Sequence, residues 1–275
     1  MKWLNSNVNI TKKLTTLFSN LGIDFSYPAF CDSDEFLNQE RKDSTFLENY
    51  ALYVEHKEYS EQYLSEAKRK IEICSNIFHE ILKADGRMGA CVDASSIFAR
   101  MLDELGVWNY VTKSTVKIEF PEKSGYGPEY FWLPTDERIF AGHSIVVAPP
   151  FGVIDLTIKN QEYTNGKGAL LPDKILSSSF SLGNWTPEDV LSPEVRMMMK
   201  MQRIEPLKHI KLYDSAMYNV LNTFPCRVVE EEGCTFKYIT VAVGGSMFKL
   251  KDIDNYKPTG RLARDIFEKD ILPHI

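Results

Sequence analysis

Two hydrophobic periods divide the chain. Between residues 58 and 84, Leu64, Ala67, Ile71, Cys74, Phe78 and Ile81 recur at intervals of three and four, predicting a helix with one apolar seam. Gly86 is a natural stop for it. A second helix is predicted from about Cys91 to Leu105, with Ala94, Ile97, Phe98, Met101 and Leu102 on the buried stripe and Gly106 ending it. The period then changes to two. In "VWNYVTKSTVKIEF", Trp108, Tyr110, Val116, Ile118 and Phe120 share one parity, and Asn109, Lys113, Lys117 and Glu119 share the other. That is the pattern of a long half-buried strand.

A Pro- and Gly-punctuated, aromatic-rich loop follows over 121–142. Two short apolar runs, "HSIVVAP" and "FGVIDLTI", flank the turn residues Pro149, Pro150 and Gly152 and read as an antiparallel strand pair. Upstream, residues 10–21 make a short amphipathic helix, while 34–54 show no clear period. Downstream, 159–185 read as loop, and Thr186–Pro187 opens a helix whose start signal repeats at Ser192–Pro193. Strands are expected near 225–232, 235–243 and 246–250, and a closing helix over 258–271 on Leu262, Ile266 and Ile271. The whole predicts an α+β fold, a nucleophile-type helix packed on an antiparallel sheet. Its parts are an N-terminal helical region (1–84), a core (85–158) and a C-terminal helix-and-strand region (159–275) packed as one globular unit.

Composition narrows the class. The chain of 275 residues is 44% hydrophobic, enough to bury a core without metals or disulfides, and its net charge of −6 argues against a nucleic-acid binder. "AKRK" at 67–70 lies in the predicted helix among glutamates and reads as a solvated face. No signal peptide or membrane span is evident, so the expectation is a cytoplasmic protein with no membrane partner. The five cysteines are scattered without a CxxC pair, which suggests neither a disulfide framework nor a metal site. Cys74 belongs to the helix seam and is expected in the core. His79 is expected at the surface, and Met197–Met199 with Met201 are expected to fill the core.

Candidate chemistry starts at "DGRMGACVDASSIFARMLDELGV". It sets Cys91 at the mouth of a helix, where unpaired N–H groups and the macrodipole favour a thiolate and could hold an oxyanion. A nucleophilic cysteine needs a base, and the base an orienting group. Of the five histidines, His143 alone opens an apolar strand directly after a loop glycine. Asp155 interrupts an apolar run, where a carboxylate is costly unless paired. If the two strands turn at 149–152, facing positions sum to about 301. His143 and Asp155 sum to 298, close enough to meet. Each residue taken alone keeps a purely structural alternative: a buried thiol, a strand-end histidine, a loop-capping aspartate.

Together, "GACVDASSIFARMLDELGV", "AGHSIVV" and "VIDLTI" resemble the transglutaminase-like superfamily of papain-type cysteine enzymes over about residues 85–158. The resemblance rests on Gly89, Cys91, Asp93 and Ala94, on Leu105–Gly106–Val107, and on His143, Asp155 and Thr157. It implies a papain/transglutaminase-like core with Cys91 as nucleophile, His143 as acid and base, and Asp155 orienting the imidazole. The implied activity is acyl transfer on amide bonds of a protein or peptide through a thioester, with no metal or cofactor. Tyr130 and Trp132, in the loop before His143, are candidates for the substrate rim. "RMGAC" is also similar to the arylamine N-acetyltransferases, a sister group that would use acetyl-CoA. A binding protein that keeps the fold without turnover is the alternative from another class.

Overall fold

The computed structural model describes residues 3–133, 142–246 and 248–275, so residues 134–141 of the predicted aromatic loop and Met247 of the predicted 246–250 strand lie outside the described residues. The fold is α+β. Helices α1 (Val8–Asn20), α2 (Asp34–Glu40), α3 (Leu47–His56), α4 (Glu61–Asp85) and α5 (Cys91–Glu104) come first. Strands β1 (Tyr110–Glu119), β2 (Glu129–Phe131), β3 (His143–Ala148), β4 (Phe151–Asp155), β5 (Ile175–Ser177) and β6 (Ser181–Gly183) follow. After helices α6 (Pro187–Val190), α7 (Pro193–Met201), α8 (Pro206–Tyr213) and α9 (Ser215–Thr223) come β7 (Cys226–Glu231), β8 (Cys234–Gly244) and the short helix α10 (Ala263–Ile266).

One antiparallel sheet organises the chain in the order β5–β4–β3–β1–β8–β7–β6. Strand β1 is long enough to serve two partners on one edge: Ser114 pairs with His143 of β3, and Val116 with Phe131 of β2. The sheet curls into a half-barrel. Within the curl lie Val116, Ile118, Ile145, Val153, Ile175, Phe236 and Tyr238. The other face carries Val111, Val146 and Ile154, packed against the α5 stripe of Ala94, Ile97, Phe98, Met101 and Leu102. Burying each such large aliphatic side chain contributes about 1.5–3 kcal/mol. Both faces of β1 are therefore covered over most of its length, and even Asn109 just before it is buried. The half-buried strand of the sequence pattern is covered because α5 and the curl each take one side.

Several helix ends follow local chemistry. Ser60 caps α4 through its hydroxyl, and Gly86 ends it at φ +68°. The successive Thr186–Pro187 and Ser192–Pro193 signals split the 186–202 segment into α6 and α7, each with a proline in its first turn. Other expectations are corrected. The described residues of 246–250 form no strand: β8 ends at Gly244, and a 3-10 turn lies at Leu250–Asp252. The closing helix is broken into a 3-10 turn (Pro258–Gly260), α10 and a π-turn (Phe267–Ile271). Of the methionine cluster only Met199 is buried; Met197, Met198 and Met201 are exposed because α7 packs through a single narrow face. His79 is buried, since α4 lies against the chain leaving β4 and the imidazole Nδ1 donates to the Leu156 carbonyl at 3.1 Å. Burial lowers its pKa. Cys74 sits in the core as its place in the seam requires.

Candidate active site

The helix that carries Cys91 is placed by its approach. Gly89 adopts φ +68°, a left-handed conformation that glycine takes at no steric cost, and its N–H donates to the Asn160 carbonyl at 2.9 Å. Arg87 pairs with Asp93 in the first turn of α5 at 3.0 Å. Cys91 is the first residue of α5, and the preceding Ala90 offers no side-chain cap to the first-turn amides. One turn on, the Ser95 hydroxyl donates to the Ser144 carbonyl at 2.9 Å, which ties the helix to the start of β3 beside His143.

His143 opens β3 and is fully buried. Its Nε2 donates to Asp155 Oδ2 at 2.7 Å. The observed register of β3 and β4 sets Val146 opposite Ile154, one position off the predicted sum, so the imidazole reaches Asp155 diagonally. The other oxygen, Oδ1, accepts the Thr157 backbone N–H at 3.0 Å. Phe131 stacks on the imidazole with centroids 5.6 Å apart and planes at 27°. Gly142 lets this happen: a Cβ there would fall 2.5 Å from the carbonyl oxygens of Phe131 and Trp132.

The ring's remaining nitrogen, Nδ1, is buried without a hydrogen-bond partner. It is the nitrogen left to serve Cys91, whose sulfur acts electrostatically on the ring. Burial alone would lower the His143 pKa. The Asp155 carboxylate and the Cys91 sulfur outweigh it and push it up to about 10. At neutral pH the site rests with an imidazolium between carboxylate and sulfur, and such a cation stabilises negative charge on its neighbour.

Burial is the largest influence on Cys31, Cys74, Cys226 and Cys234 and pushes all four up. All five cysteines are free.

The three candidate residues of the triad thus come together. The two candidate rim residues are placed differently. Strand alternation turns Tyr130 and Trp132 away from the side that Phe131 presents to His143; their rings stack on each other at 4.7 Å, and Trp132 Nε1 donates to the Glu188 carbonyl at 2.9 Å. Phe131 belongs to the aromatic loop that sequence reasoning offers as a substrate rim, but its stacking on His143 has no local signal, and neither has the reach of Tyr238. The Tyr238 hydroxyl donates to Asp155 Oδ2 at 3.0 Å.

A cavity of about 560 Å³ opens elsewhere, lined by Cys31, Tyr50, Arg100, Asp103 and Val243. Arg100, at its wall, is already engaged: it contacts Asp32 at 2.6 Å, Asp103 at 3.1 Å and the Ser246 carbonyl at 2.6 Å. Despite its size we assign the chemistry to the Cys91 site, where a nucleophile, a titratable base and an orienting group coincide. Among the described residues no cluster of His, Cys, Asp and Glu is arranged to hold a metal ion, and no helix is long and apolar enough to cross a membrane. Comparison with known protein families, curated proteins and solved structures finds no match.

Proposed function

We propose that this protein is a cysteine-dependent acyl-transfer enzyme acting on amide bonds, with Cys91, His143 and Asp155 as its triad on a papain/transglutaminase-like core. The observation that carries the reading is the fully buried His143–Asp155 bond, with the second ring nitrogen unbonded beside a thiol at a helix N-terminus. The buried His79 also leaves one ring nitrogen unbonded, but its other nitrogen meets only a carbonyl; a carboxylate on one side and the Cys91 sulfur on the other set His143 apart.

In the proposed reaction the Cys91 sulfur attacks the carbonyl carbon of the amide, forming a C–S bond and an oxyanion. The first-turn amides of α5, which no side chain caps, serve as donors for that oxyanion. Collapse breaks the C–N bond, and the leaving amine takes the Nδ1 proton of His143. Water or a second amine then attacks the thioester, giving its proton back to Nδ1 and freeing the sulfur. Asp155 keeps the ring in one orientation throughout and balances its charge.

The test is trapping. Incubation with glutamine-containing peptides, quenching in acid and mass mapping should find a peptide acyl group on Cys91, absent in Cys91→Ala. Acetyl-CoA serves as the parallel arm. An acetyl group retained on Cys91, with no peptide adduct, would move the reading to the acetyltransferase class, and no adduct of either kind would favour a binding protein.

A further inference from the structure

Tyr238 sits on β8, which is separated from β4 in the sheet by β3 and β1. Flat strands at the usual spacing of about 4.8 Å would hold the two strands some 14 Å apart. The curl brings them within reach, and the phenol crosses the interior to Asp155 Oδ2, the oxygen that already accepts from His143. In register, Tyr238 faces Val116, and Val116 faces Phe131, so the ring that stacks on His143 and the phenol that holds its carboxylate flank one residue of β1. Tyr238 is fully buried, and a buried phenol hydroxyl needs an acceptor. Here the acceptor is the charged group of the site.

We propose that Tyr238 is a positioning residue of the reactive site: its hydroxyl braces the Asp155 carboxylate from across the curl and shares the charge that grips His143. The inference rests on the function proposed above for Cys91, His143 and Asp155. With Thr157 on Oδ1 and Tyr238 on Oδ2, neither carboxylate oxygen depends on the imidazole alone, so the carboxylate cannot swing when the ring gives up its proton. A donor to a buried carboxylate stabilises it most when its cation is gone. Tyr238 therefore favours release of the proton from His143, the step that protonates the leaving amine. The groups facing this centre are Cys91 from α5, Asp155 from β4, Tyr238 from β8, and Tyr163 from the segment after β4. Glu129 of β2 also acts on Tyr163, but it is paired with Lys167 at 2.7 Å.

The experiment reads the His143 ring by nuclear magnetic resonance in the full chain, in wild type and in Tyr238→Phe. Loss of the hydroxyl should move the His143 titration upward by about one pH unit, a tenfold tighter hold on the proton, with the melting temperature little changed. Tyr163→Phe is the control, since its hydroxyl donates to the Ile158 carbonyl and not to a carboxylate; it should leave the titration in place. An unchanged or lowered titration in Tyr238→Phe overturns the inference. If that variant does not fold, the wild type decides: a Tyr238 hydroxyl proton protected from exchange and close to the His143 ring supports it, and a freely exchanging one overturns it. The readout needs no substrate. A failure here leaves the reactivity of Cys91 standing, and a failure to trap an acyl group there leaves this titration standing.

Discussion

Two buried ionic centres share the curled sheet, and they are built from similar parts. At one end Glu55 of α3 meets Arg227 of β7 at 2.6 and 2.7 Å, and the Tyr110 hydroxyl donates to Glu55 Oε2 at 2.5 Å. Asn5 donates to Oε1 as well. At the other, Asp155 meets His143 and the Tyr238 hydroxyl. Carboxylate, cation and phenol recur, yet the centres differ in their cation. Arg227 cannot give up its proton, and although its Nε lacks a partner, the guanidinium carbon lies 5.4 Å from the Phe180 ring centroid. It locks the N-terminal helices to the sheet. His143 can give up its proton, and its free nitrogen faces a nucleophile. A centre whose cation keeps its proton holds a fold together, whereas one whose cation can release it beside a thiol is equipped for chemistry.

The largest effect should come from breaking the arginine centre. Arg227→Met leaves Glu55 charged and buried without its cation, a loss of about 3–5 kcal/mol in urea unfolding. Cys91 alkylation in the folded fraction should persist, because the two centres are separate.

The histidine centre is next, and it is sensed through pH. A histidine whose pKa is raised from 6.5 to about 10 on folding binds its proton more tightly in the native state. Its stabilisation is complete below pH 6.5 and lost as pH climbs to 10. Stability measured by urea at pH 6 and pH 9.5 should fall across that interval, and His143→Gln should flatten the fall. No such slope is expected from the Arg227 centre.

Smaller effects probe how the site is placed. Gly142→Ala forces the Phe131 and Trp132 carbonyls aside, costing about 1–3 kcal/mol and loosening the ring over His143, visible as a slower alkylation of Cys91. Ser95→Ala removes one bond between α5 and β3, about 1 kcal/mol by urea unfolding.

The difference between the centres also explains what could be read from the chain. Cys91, His143 and Asp155 announce themselves because each breaks a local pattern: a thiol where a helix begins, an imidazole opening an apolar strand, a carboxylate inside one. Glu55 and Arg227 break none. They are 172 residues apart, and a charge in an amphipathic helix or an alternating strand resembles a solvated one until the tertiary fold covers it. Tyr238 is hidden in the same way, an aromatic at an inward position of a strand, 83 residues from Asp155, joined to it only by curvature. Strands β2, β5 and β6 are three residues each, too short to show a period of two. His79 was misplaced because the pattern shows which face of α4 is apolar but not that the chain leaving β4 covers another.

The most direct test is a race among the five thiols. Limiting iodoacetamide at pH 7, followed by mass mapping, should modify Cys91 well ahead of Cys31, Cys74, Cys226 and Cys234, and His143→Ala should slow that modification by about a hundredfold. A Cys91 that reacts no faster than Cys31, or that ignores the loss of His143, would contradict the account.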